Sequence, residues 1–112
     1  MQKIIATVII FIALFTINAS ALAAPVGDLD SGAAVFKANC AGCHVNGGNI
    51  VRRGKNLKMK ALHRNKVDTH EAVVSLVING KGIMSAYGDK LTPEQIADVS
   101  AYVLQRAETG WK

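Results

Sequence analysis

Apolar positions follow two regimes along the chain. Residues 4–17 form an uncharged, mostly aliphatic run, whereas beyond Gly27 apolar residues recur every three or four positions among polar ones. The second pattern is the period of helices that bury one face. Leu29, Gly32, Ala33, Phe36 and Cys40 share such a face behind acidic and hydroxylated residues, which predicts a first helix from residue 30 or 31 to about 39. Residues 45–56 carry Gly47, Gly48, Asn49 and Gly54 without a sustained period and read as a loop. A short amphipathic helix is expected over 57–64, with Leu57 and Ala61 on one face. Asp68-Thr69-His70-Glu71 has capping-box spacing ahead of a β-branched third helix over 72–78, stopped by Asn79-Gly80. A second loop over 80–89 contains Met84. Thr92-Pro93-Glu94-Gln95 then joins a cap, a proline at the first helical position and a reaching amide, the strongest helix start in the chain. Ile96, Val99 and Val103 line one face of that helix beside Tyr102, and Gly110 ends it. The fold class is all-α, three or four helices whose long loops are expected to wrap something.

The aliphatic run begins after Met1, Gln2 and Lys3 and fades into Ala19-Ser20-Ala21-Leu22-Ala23, small residues at cleavage spacing. A bilayer-spanning helix needs about 20 apolar residues, so residues 1–23 read as a signal peptide and residues 24–112 as one exported domain. An uncleaved anchor would leave the same domain on the same side of the membrane. The chain has 112 residues with 13 Lys and Arg against 8 Asp and Glu, a formal charge of +5; removing Lys3 with the signal leaves 12 against 8, or +4. This length allows one small domain, and two Cys and two Pro exclude a disulfide-dense or collagen-like chain. A domain this small is marginal on apolar contacts alone, so a bound prosthetic group would supply needed cohesion.

Cys40-Ala41-Gly42-Cys43-His44 carries the one specific chemical signal. C-x-x-C-H is the attachment site of a c-type haem. Two thiols three positions apart can form thioethers with one porphyrin edge, and the adjacent His44 is delivered to one face of the iron. A dithiol oxidoreductase would be expected within a βαβ pattern, which is absent, and a zinc site needs four ligands, which His63 and His70 complete only at irregular spacing. Met84 lies in a glycine-flanked loop where a long thioether could reach the opposite haem face; filling a core gap is the alternative. Met59 sits between Lys58 and Lys60, and His63 and His70 lie in polar stretches expected to be exposed.

Further residues extend the pattern: Gly32 and Phe36 ahead of the motif, Asn79-Gly80-Lys81, Met84 with Ala86-Tyr87-Gly88, Val99 with Tyr102-Val103, and Gly110-Trp111. Together, over residues 27–112, the chain resembles class I cytochromes c, and within them the cytochrome c6 family of cyanobacteria and algae. The resemblance implies the class I cytochrome c fold, with three to four helices and long loops wrapped around one covalently bound haem. It implies Cys40 and Cys43 as cofactor-binding residues and His44 and Met84 as iron ligands. Gly32 would allow the first and last helices to cross, with Phe36 near Val99 and Tyr102. Members of the family are mainly monomers of the thylakoid lumen or periplasm, docking transiently at membrane complexes. They carry single electrons from the cytochrome b6f complex to photosystem I or to a terminal oxidase. The chain departs from the pattern at Ser85, where a Pro is usual, and at Leu76, where a Gln is common; both lie near the haem in the family and bear on potential.

The expected function is therefore a soluble single-electron carrier, not an enzyme, because His and Met ligation fills both axial positions. A haem enzyme or sensor would require Met84 off the iron, and a regulatory domain would keep its partner when redox-silent. A divergent carrier of lower potential serving another partner is the alternative within the family. Residues 52–66 hold Arg52, Arg53, Lys55, Lys58, Lys60, Arg64 and Lys66 and no acid. Such a run is either a solvated face or a steering surface for an acidic partner. Nucleic acid is excluded as a partner by export and by the lack of interleaved aromatics. Ile83, Ala86 and Val45 are candidate apolar rim residues, and Lys90 a candidate docking cation.

Overall fold

A carboxylate opens the first helix one or two residues earlier than expected. Asp28 is the N-cap, its side chain accepting from the Ser31 N–H, and α1 runs Leu29–Asn39. The acid that caps is thus Asp28, and Asp30 lies in the first turn, where its charge suits the helix dipole. The computed structural model describes residues 27–112, so the expected signal peptide, 1–23, lies outside the described residues. The other helices are α2 (Met59–Arg64), α3 (His70–Asn79) and α4 (Pro93–Glu108), with single 3-10 turns at Val45–Gly47 and Arg53–Lys55 inside the first long loop. Among the described residues the only β feature is an isolated bridge between Lys81 and Met84. No helix there is long and apolar enough to cross a membrane.

The start of α4 forms as its sequence dictates. Thr92 accepts from the Gln95 N–H while the Gln95 side chain accepts from the Thr92 N–H, and Pro93 occupies the first turn. The start of α3 differs from the expected box. Thr69, not Asp68, is the N-cap, accepting from Ala72 N–H, because Asp68 is engaged by His63 Nδ1 at 2.8 Å.

The core sits where α1 and α3 meet α4. Val35 and Phe36 from α1, Val73 and Val77 from α3, and Ile96, Val99 and Val103 from α4 form one buried cluster. Gly32 makes the α1–α4 crossing possible: a Cβ there would lie 2.2 Å from the Asp98 carbonyl oxygen and 2.7 Å from Tyr102 Cβ. Phe36, Tyr102 and Trp111 form a three-ring cluster, the Phe36 centroid 5.4 and 5.2 Å from the other two in tilted contact, an arrangement that adds to the area term. His70 is not the exposed residue expected. It is half-buried, and its Nε2 lies 3.0 Å from the Ala97 carbonyl oxygen, tying the start of α3 to α4. His63 is exposed as expected.

Candidate functional site

The C-x-x-C-H segment continues from α1 as a tight turn. Cys40 caps the helix, and its carbonyl accepts from both Cys43 N–H (3.2 Å) and His44 N–H (3.0 Å). The two thiols are thereby held on one turn; both are free, Cys40 half-buried and Cys43 exposed. Burial, with Cys43 adding to it, pushes the Cys40 thiol up to about 11. Dithiol exchange needs a thiolate favoured by its surroundings, which is the opposite shift. Zinc fares no better, since among the described residues no three His, Cys, Asp or Glu side chains gather as a metal-binding group.

His44 is oriented by its own loop. Its Nδ1 lies 2.8 Å from the Gly48 carbonyl oxygen. A carbonyl only accepts, so Nδ1 carries the proton and donates, and Nε2 keeps the lone pair that a metal requires. The Gly47 N–H donates back to the His44 carbonyl at 3.0 Å, and Asn46 (φ 50°) and Gly47 (φ 75°) make the left-handed turn that closes the loop.

Met84 arrives on the second loop by backbone pairing. Lys81 and Met84 exchange N–H···O bonds of 3.1 and 3.0 Å. Gly80, at φ 65°, lets that turn press against α3: a Cβ would lie 2.4 Å from the Met84 carbonyl oxygen. The loop then returns along the end of α3, with Tyr87 N–H donating to Val77 and Gly88 N–H to Ile78. Tyr87 also brings it to the cysteines. Its hydroxyl donates to the Asn39 carbonyl at 3.0 Å, and its pKa is raised by burial and then by Cys40 and Cys43. The two loops bearing Cys40, Cys43, His44 and Met84 therefore converge on one end of α1, while Met59 sits at the start of α2 and His63 and His70 are committed elsewhere.

These residues fit a covalently held haem. The donor set is two uncommitted thiols, an imidazole with Nε2 free, and a thioether. Leu76 and Met84 are half-buried yet lie outside the core cluster and the side chains packed on it, so apolar surface remains for a large flat group. Ile83 is 77% exposed and Val45 56% exposed, with Ala86 also at the surface.

Trp111 is the residue whose role spacing does not reveal. Its indole N–H donates to the Leu57 carbonyl at 2.9 Å, and a Cβ on Gly47 would lie 2.4 Å from its ring. The carboxyl-terminal segment thus clamps the loop that orients His44. A tryptophan directly after a helix-ending glycine was the available signal, since a large apolar ring there must find cover.

A family model described as cytochrome C oxidase, cbb3-type, subunit III matches residues 27–103. The chain is 46% identical to a cytochrome c6-like protein of Nostoc sp. (strain PCC 7120 / SAG 25.82 / UTEX 2576), covering all of both. It is 53% identical over 85 residues to cytochrome c6 of Aphanizomenon flos-aquae, covering 76% of this chain and 98% of that one. The crystal structure of cytochrome c6C from Synechococcus sp. PCC 7002 matches with a TM-score of 0.70 at 61% identity, over 71% of this chain and 98% of that one.

Proposed function

The chain belongs to the cytochrome c6 family, electron carriers of the class I cytochrome c fold that bind one covalently attached haem c, and from that premise we propose that Cys40 and Cys43 form its thioethers while His44 and Met84 ligate its iron. Bound in this way, the haem supplies a one-electron couple. The chain's own residues set the conditions for it. Gly48 holds the His44 imidazole in one tautomer and orientation through the 2.8 Å bond to Nδ1, so Nε2 is presented without a reorganisation step. The Lys81–Met84 turn fixes the thioether's backbone. With His44 and Met84 both holding the iron, small oxidants would find no open site there, and a thioether ligand would favour the reduced state.

The observation that carries this reading is the convergence of the two loops through the Tyr87–Asn39 bond. The experiment is a potentiometric titration of the haem-loaded protein with its visible spectrum, against Met84→Ala. A potential that collapses and a spectrum that changes in the variant support His44/Met84 ligation; a variant that behaves like the parent refutes it.

The address and partners follow from the same reading. Residues 1–23 direct export, and the mature domain, 24–112, works in the thylakoid lumen or periplasm. It carries electrons from the cytochrome b6f complex to photosystem I. Two observations favour a second reading, a lower-potential carrier serving another partner such as a terminal oxidase. Leu76 places an aliphatic side chain, half-buried, where the family pattern has Gln, and Ser85 stands where Pro is usual. The same titration separates them: a potential well below that of cytochrome f makes reduction by the b6f complex uphill and selects the second reading.

A further inference from the structure

The two halves of the candidate site belong to helices that lie apart. The end of α1 leads into Cys40, Cys43 and His44, and α3 leads into the loop of Met84, yet no Cα of α1 comes within 8 Å of one of α3; each packs on α4 instead. Backbone bonds fasten the Met84 loop to α3, Tyr87 N–H donating to the Val77 carbonyl at 2.8 Å and Gly88 N–H to that of Ile78 at 3.2 Å. Toward α1 the loop has a single hydrogen bond among the described residues, from the Tyr87 hydroxyl to the Asn39 carbonyl at 3.0 Å. Little else holds it. Lys81, Gly82, Ile83, Ser85 and Ala86 are all exposed, and Gly82, at φ 58°, has open space around it. A stretch with so few buried contacts opens at low cost unless something ties it down.

Tyr87 has what such a tie requires. Its ring packs against the core cluster, and the Lys90 ammonium lies 5.4 Å from the ring centroid, a cation–π contact. The Lys90 and Leu91 N–H groups both donate to its carbonyl at 3.0 Å, so its backbone is fixed on both sides. A carbonyl only accepts, so the hydroxyl donates; burial, with Cys40 and Cys43 adding to it, raises the pKa of the phenol and keeps the proton in place. The acceptor is one of the four carbonyls that a helix end leaves without helical partners, and no backbone N–H among the described residues competes for it. Asn39 directly precedes Cys40. The phenol thus joins the approach to the haem-attachment turn to a point three residues past Met84.

We propose that Tyr87 is a positioning residue whose hydroxyl latches the Met84 loop to the end of α1 and so sets how readily the thioether leaves the iron. The inference rests on the His44/Met84 ligation proposed above. Tyr87→Phe keeps the ring and removes the latch. The oxidised, haem-loaded protein is titrated with imidazole, which competes for the position Met84 would hold, and is followed by its visible spectrum; amide hydrogen exchange is measured on the same samples. Tyr87→Phe is expected to bind imidazole about fivefold more tightly and to exchange the amides of residues 87 and 88 about fivefold faster, the factor that one neutral hydrogen bond supplies, while amides within α4 keep the parent's rates. Thr69→Ala removes the cap at the far end of α3, loosening the fold without touching the loop, and leaves both quantities within about twofold. Either quantity within about twofold of the parent in Tyr87→Phe, or an equal rise in Thr69→Ala, overturns the latch. Met84→Ala separates the two claims. If it binds imidazole far more tightly than the parent, the ligation stands and a silent Tyr87→Phe sinks the latch alone; if it binds imidazole as the parent does, the ligation fails and the latch with it.

Discussion

Gly32→Ala tests how closely α1 and α4 cross. The added methyl would start 2.2 Å from the Asp98 carbonyl oxygen, 2.7 Å from its carbon and 2.7 Å from Tyr102 Cβ. Two of these three atoms are backbone, so no rotamer change relieves them; the helices must part by more than 1 Å to reach ordinary contact near 3.4 Å. Parting them opens the cluster of Phe36, Val99 and Val103. Overpacking of this kind costs about 3 kcal/mol at the upper end of the usual range, and the better helix propensity of Ala returns about 1 kcal/mol. The net loss is about 2 kcal/mol. For a domain of this size each kcal/mol moves Tm by about 4–8 °C, so a fall of roughly 8–16 °C is expected in thermal unfolding followed by far-UV circular dichroism and the haem band. Gly54→Ala is the control, because a Cβ there meets only the flexible end of Arg64 at 3.8 Å. A Gly32→Ala protein that melts with the parent, or above it, would show that the crossing tolerates a methyl and that the packing account is wrong.

Thr92→Ala removes one half of the α4 capping box and should lower stability by about 1 kcal/mol, seen as a Tm lower by about 4–8 °C, with Thr92→Ser close to the parent. Ser100 is fully buried, and its hydroxyl has no hydrogen-bond partner, so Ser100→Ala should raise stability by about 1 kcal/mol; a lower midpoint in denaturant would mean that the hydroxyl is satisfied. The His63 hydrogen bond holds the Asp68 carboxyl below the ordinary carboxylate range, with the backbone helping. A carboxylate with a lowered folded pKa stabilises above its unfolded value and loses that contribution as pH falls through the folded one. Titration of Asp68 by NMR should therefore show the low value, and His63→Ala should move it back up.

Most of the helical architecture was legible because it rests on local chemistry. The α4 start follows from Thr92, Pro93 and Gln95, whose bonds close within one turn, and the glycine at 32 marks a close approach that three- and four-residue spacing already sets on a buried face. The haem-attachment motif is likewise contiguous. What escaped the sequence depends on choices between neighbours or on distant partners. Asp28 and Asp30 compete to cap α1, and Asp68 and Thr69 to cap α3; His63 decides the second by taking Asp68. His70 looks polar and exposed until the Ala97 carbonyl, 27 positions away, is placed beside it. The loop over 45–56 shows no period, yet Asn49 and Asn56 bond to their own backbone, as asparagines in turns do, and so make a defined surface from a stretch with no periodic signal.

The far end of the chain and the loop that orients His44 form one mechanical unit. The α4 helix ends at Glu108, after which Gly110 and Trp111 both take left-handed backbone, φ 69° and 63°. That conformation costs a tryptophan something, and the Trp111 N–H bond to the Arg106 carbonyl at 2.7 Å offsets part of it. The rest is offset by cover: the indole stacks on Phe36, faces the Arg106 guanidinium at 5.9 Å and lies on Gly47. Through Gly47 and Leu57 the same ring holds both sides of the loop whose Gly48 carbonyl orients His44. Electron transfer is fastest when little has to move as the charge on the iron changes, and an imidazole fixed by a carbonyl that is itself held by a packed indole has little freedom to move. The strained carboxyl terminus therefore supports the loop that orients His44, although no atom of it is among the proposed ligands.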